Sequence, residues 1–80
     1  MINNEILDEV LEAVLFVSGS GLSLDDLKQH LEVSQKDLNE AIKRLEKKYG
    51  GKCGIKLIRY NTKIHFASNP DYSDFISCVL

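Results

Sequence analysis

Apolar residues near the start of the chain recur at the spacing of an α-helix: Ile6, Leu7, Val10, Leu11, Ala13, Val14, Leu15 and Val17. Asn3 or Asn4 can cap its start, and Gly19, with Gly21 just beyond, ends it after about Ser18. On a helical wheel these side chains fill an arc of roughly 200°, about twice what a surface helix needs for its own core. Part of the arc, with Leu11 and Leu15 at one edge, is therefore expected to be covered by something else. Glu5, Asp8, Glu9 and Glu12 lie opposite, and Phe16 projects among them. Phe16 either folds down onto the following loop or meets a partner.

Two helix starts of like design follow. In Leu22-Ser23-Leu24-Asp25-Asp26-Leu27, Ser23 is placed to cap, Asp26 stands at the third helical position, and Leu22 and Leu27 have the spacing of a hydrophobic staple. Val33-Ser34-Gln35-Lys36-Asp37-Leu38 repeats the arrangement eleven residues later. A second helix is expected over 24–31, with Leu24, Leu27 and Leu31 inward. A third is expected over 35–49, with Leu38, Ala41, Ile42, Leu45 and Tyr49 inward. Helices joined only by Glu32-Val33 must cross steeply, as in a helix-turn-helix.

Gly50, Gly51 and Gly54 then loosen the chain, and 55–60 and 63–67 read as strands around Asn61-Thr62, in a hairpin with that turn or a longer loop. Pairing Tyr60 with Lys63 sets Leu57 opposite Phe66 and Arg59 opposite Ile64, on the face that covers the helices. The outer face then shows Lys56, Ile58, Tyr60 and His65. Asn69-Pro70-Asp71 opens a last helix carrying Tyr72, Phe75, Ile76 and Val79. The apolar, uncapped end at Ser77-Cys78-Val79-Leu80 suggests a piece of a longer protein. The whole pattern is an α+β winged helix-turn-helix: three helices, a β-hairpin wing and a C-terminal helix.

Composition narrows the function without naming it. Eighty residues make one domain, which buries about 60% of its unfolded surface. With 44% hydrophobic and 28% charged residues the chain reads as a globular protein of the cytoplasm. Its longest apolar run is Ala13 to Val17, and acids rather than bases precede it, so neither a membrane span nor a signal peptide is expected. Cys53 and Cys78 read as two reduced thiols; with His30 and His65 they are too scattered for a metal. No nucleophile-base grouping or phosphate-binding glycine loop is evident, and Asp25-Asp26 is explained by the cap and the helix dipole. We therefore expect no catalytic site, metal or cofactor.

Charge is split along the chain: residues 1–32 carry a net of −6 and residues 33–69 a net of +6. Such a domain can meet a partner of either sign. For DNA, the third helix would read the groove with Lys36, Asn39, Lys43 and Lys47, next to Gln35, and the wing would add Lys56, Arg59 and Lys63. Asp37 and Glu40 oppose this, and Glu40 and Arg44 have the spacing of a salt bridge along one helix. DNA contact is thus expected to be weak and not sequence-specific. For a protein partner or a second copy, the candidates are Leu11, Leu15 and Phe16 on the first helix and Ile58 and Tyr60 on the outer wing.

Leu11-Glu12-Ala13-Val14-Leu15-Phe16-Val17-Ser18-Gly19 followed by Leu22-Ser23-Leu24 resembles the opening of the segregation and condensation protein B family. So does Gly54-Ile55-Lys56-Leu57 leading to Asn69-Pro70-Asp71-Tyr72. The chain departs from the family at turns: Gly21 stands where Pro is usual, and Asn61-Thr62 replaces a glycine-containing wing turn. The resemblance implies two winged-helix domains in tandem, of which this is the first, in a protein without catalytic activity. It also implies a homodimer that binds the kleisin subunit, segregation and condensation protein A. With the structural-maintenance-of-chromosomes ATPase these form bacterial condensin, in the cytoplasm at the nucleoid. Absent from the resemblance is an alternative that the fold alone leaves open, a DNA-binding transcriptional regulator.

Overall fold

A computed structural model describes residues 3–80. Asn3 caps the turn that precedes the first helix rather than the helix itself, its side chain accepting the Glu5 N–H at 2.9 Å. A single 3-10 turn, Asn4–Ile6, leads into α1, Leu7–Ser18, which ends at Gly19 with φ 68°. A two-residue strand β1, Leu22–Ser23, then runs directly into α2, Leu24–Leu31. Ser23 accepts the Asp26 N–H at 3.4 Å. After Glu32 and Val33 comes α3, Gln35–Lys48, where Ser34 accepts the Asp37 N–H at 3.1 Å. The tight turn between α2 and α3 is made by Glu32 in the left-handed region, φ 54°, a conformation that costs a non-glycine residue about 1 kcal/mol.

The hairpin consists of β2, Ile55–Tyr60, and β3, Lys63–Ser68, antiparallel, with Tyr60 opposite Lys63, Leu57 opposite Phe66 and Arg59 opposite Ile64. The connection is the two residues Asn61 and Thr62, and Asn61 takes up the turn with φ 54°. The sheet has a third strand that the sequence pattern does not reveal. Leu22 and Ser23 pair with Ile64 and Lys63, so the order is β1-β3-β2. The Leu24 N–H continues this contact to Thr62 O at 2.7 Å.

The core lies between α1, α3 and the sheet. Leu7, Leu11 and Leu15 from α1 meet Leu38, Ala41, Ile42 and Leu45 from α3, closed by Leu27, Leu57 and Ile64. Tyr49 and Phe66 pack edge to face against this cluster, 5.1 Å between ring centres. The expectation that Leu11 and Leu15 lie at the edge of the arc, open to a partner, is corrected here: they are 0% and 1% exposed, at the centre of the α1–α3 contact.

Beyond β3 the chain turns on Asn69, which is 3% exposed. Its backbone N–H reaches Gly54 O at 2.8 Å, its side-chain amide donates to Cys53 O at 2.8 Å, and its Oδ1 accepts the Asp71 N–H at 2.9 Å. A 3-10 turn, Pro70–Tyr72, then leads into α4, Ser73–Val79, as the Asn-Pro pair suggests. Every residue from 70 to 80 is exposed, and the molecule is elongated, 43 × 21 × 20 Å.

Candidate partner-binding surfaces

The outward face of α3 presents Lys36, Lys43 and Lys47 in the open, with Asn39 half-buried among them, and Lys63 is exposed on the wing. The strongest cation of that helix is engaged elsewhere. Arg44 makes a bidentate pair with Asp8 of α1, Nε to Oδ2 and Nη2 to Oδ1, both 2.8 Å. The salt bridge along α3 that the spacing of Glu40 and Arg44 suggests is replaced by one between helices, in which the guanidinium fork meets both Asp8 carboxylate oxygens. Arg44 holds the Asp8 carboxyl below its ordinary range, first through this hydrogen bond. One turn on, Glu12 takes the Tyr49 hydroxyl and Lys48 Nζ, the latter at 3.0 Å. Those two contacts, the tyrosine foremost, lower the Glu12 carboxyl, and the bond to Glu12 in turn raises the Tyr49 hydroxyl.

These pairs leave an acidic margin. A cleft of about 360 Å³ between the start of α1 and the first half of α3 is lined by Glu5, Asp8, Glu9, Asp37 and Glu40 around Arg44. On the wing side, Arg59 lies 3.8 Å from Glu46. A phosphate backbone approaching the first turns of α3 would meet these carboxylates beside the lysines.

Apolar side chains are displayed elsewhere. Phe16 is 78% exposed, so it does not fold onto the loop that follows. Tyr60 is 68% and Ile58 39% exposed on the outer wing, on the face the strand register assigns them. On α1 and the turn before it, the surface left free is not the Leu11–Leu15 edge but the opposite one, Ile6, Ala13 and Val17 with Val10 half-buried among them, which sequence reasoning missed. The signal was present in their four-three-four spacing, a second line alongside that of Leu7, Leu11 and Leu15. Among the described residues no three His, Cys, Asp or Glu side chains come together to hold a metal ion, and no helix is long and apolar enough to cross a membrane.

Comparison with known proteins gives these surfaces a context. A family model described as segregation and condensation complex subunit ScpB matches residues 9–80. Segregation and condensation protein B of Carboxydothermus hydrogenoformans is 37% identical over 71 residues, 88% of this chain and 38% of that protein. The protein of the same name from Clostridium acetobutylicum is 31% identical over 77 residues, 95% of this chain and 38% of its own length. The chain thus spans about two-fifths of the curated relatives it matches. A crystal structure described as a dimer of the ScpB N-terminal domain complexed with ScpA peptide superposes with a TM-score of 0.85 at 24% identity, over 95% of this chain and 96% of that one. Its fold is the winged helix read from the pattern of this sequence. Matched by the family model from the first turns of α1 to its last residue, the chain belongs to the ScpB family of segregation and condensation complex subunits.

Proposed function

We propose that this chain is the first of two winged-helix domains in a non-catalytic accessory subunit of bacterial condensin, and that it works by binding. It pairs with a second copy and holds the central segment of the kleisin, segregation and condensation protein A, in the cytoplasm at the nucleoid. The observation that carries this reading is the placement of large apolar side chains outside the core. Phe16 and Tyr60 are more than two-thirds exposed, whereas the outer face of α3 mixes lysines with Asp37, Glu40 and Glu46. The similar solved domain, described as a dimer with an ScpA peptide, supports the same reading. For the kleisin contact we assign Phe16, Ile58 and Tyr60.

A domain of this size offers only small patches, and a standard interface takes about 800 Å² from each partner. Two domains along one segment reach that area, and linking them raises the effective concentration of the second contact. This chain alone is therefore expected to bind a peptide from the kleisin centre with a micromolar Kd, about −8 kcal/mol, and the two-domain protein far more tightly. Calorimetry of both against one peptide is the test. Tyr60→Asp should weaken the complex about tenfold. Equal affinities would remove the two-domain argument, and no binding by the two-domain protein would remove the function.

A further inference from the structure

Two apolar surfaces of this chain face outward. The first is the line Ile6, Val10, Ala13 and Val17 along α1, with Ile6 51% and Val17 82% exposed. Towards its C-terminal end Ala13, Val14, Val17 and Ser18 form a shallow depression of about 440 Å³ with almost no polar lining. The second is α4 with its lead-in turn. Tyr72, Phe75, Ile76 and Val79 share one side of it and Asp74 and Ser77 the other. Phe75 is 71% and Val79 83% exposed. Isolated helices shorter than about 12 residues are marginal in water, because nucleation is unfavourable. A seven-residue helix whose apolar side is open thus lacks the burial that normally holds such a helix.

Within one copy the two surfaces do not cover each other, since Val17 and Phe75 both stay largely exposed. They match in size: small side chains make the depression and large ones the helix face, the combination by which facing positions interdigitate. We propose that two copies of this chain pair by exchanging these elements about a two-fold axis, α4 of each copy lying on the Ile6–Val17 line of the other. This rests on the dimer reading given above and assigns that dimer its contact. The area argues for exchange in both directions. One helix face of this kind supplies on the order of 400 Å², about half of the ~800 Å² that a stable interface takes from each partner; the reciprocal contact supplies the rest. Two-fold closure also leaves no α4 free to recruit a third copy. Pairing α1 with α1 would leave α4 uncovered. Phe16 and the wing stay outside this contact, free for the kleisin.

Light scattering of the chain across a concentration series, with Val17→Asp and Phe75→Asp beside it, tests the assignment. The unaltered chain is expected to dimerise, and each variant to raise the dimer Kd at least about tenfold while circular dichroism stays helical; Ala13→Arg replaces Val17→Asp should that variant lose its fold. The decisive measurement mixes the two variants. A hybrid of one copy with an intact α4 and one with an intact α1 line keeps one of the two contacts, so the mixture should dimerise more tightly than either variant alone. Dissociation by Val17→Asp but not Phe75→Asp would point to α1 against α1, and the converse to α4 against α4; either overturns the exchange. A dimer indifferent to both variants keeps the dimer reading and removes this contact. A chain that is monomeric at every concentration removes both.

Discussion

Arg44 shows how little a residue's neighbours in sequence say about its partner. Glu40 stands one turn away on the same helix, yet the guanidinium closes on Asp8, thirty-six residues earlier. Spacing along one helix is readable from sequence, and the facing of two helices is not. The Glu12–Tyr49–Lys48 cluster is of the same kind. Because Asp8 and Glu12 are both lowered from their ordinary values of 3.8 and 4.5, their stabilising contribution is present above those values and is lost as pH falls through the lowered ones. Tyr49→Phe removes the largest cause of the Glu12 shift. It should cost about 1 kcal/mol near neutral pH, the scale of one hydrogen bond, and move the Glu12 titration upward. Urea unfolding and carboxyl NMR titration read the two effects, and the stability difference should fade in acid as Glu12 takes up its proton. A Glu12 titration that stays in place would remove Tyr49 as the cause.

At the scale of elements, what was legible was what is written locally. The Ser23 and Ser34 caps, the three-residue link between α2 and α3, and the hairpin register all follow from residues within a few positions of one another. Two features were not. β1 is two residues long, and no periodicity exists in two residues; its strand character comes entirely from Ile64 and Lys63 on β3. In α1 the wheel gave an arc too wide for one core and no means of telling which edge goes inward. The choice is made by α3, whose Leu38, Ile42 and Leu45 seat Leu7, Leu11 and Leu15. Hence Leu11→Ala or Leu15→Ala should cost 2–5 kcal/mol, roughly, as for other buried leucines. Val17→Ala should change the unfolding of the dilute monomer by no more than about 0.5 kcal/mol. Denaturant curves of the three variants decide this, and similar losses for all three would return the Leu11–Leu15 edge to the surface.

For the whole molecule, the opposition between an acidic first part and a basic second part is met in part across the contact of α1 with α3. The acids of α1 are turned onto the cations of α3 through Asp8–Arg44 and Glu12–Lys48. What remains outside is a set of scattered lysines, Lys36, Lys43, Lys47 and Lys63, interrupted by carboxylates. Lysines on phosphates give an attraction that depends on salt and ignores sequence. Fluorescence anisotropy in about 150 mM salt should therefore show weak binding with equal affinity for a duplex and its scrambled counterpart. A strong preference for one of them would make α3 a reading helix after all.

The central position of β3 has a mechanical consequence. A wing attached only through its own hairpin can swing, and a partner closing on it must first bring it to rest. Here β3 is bound on both sides, and the Leu24 N–H bridges to Thr62 O at the tip, so the turn that carries Tyr60 is tied to the first residue of α2. A ligand that grips Tyr60 therefore meets a surface already set, and the ordering cost is close to that of one side chain, about 0.5–1.5 kcal/mol. The same bridge links Tyr60, through Thr62, to Leu24 at the start of the helix-turn-helix, so the wing and the helices share one continuous run of backbone hydrogen bonds.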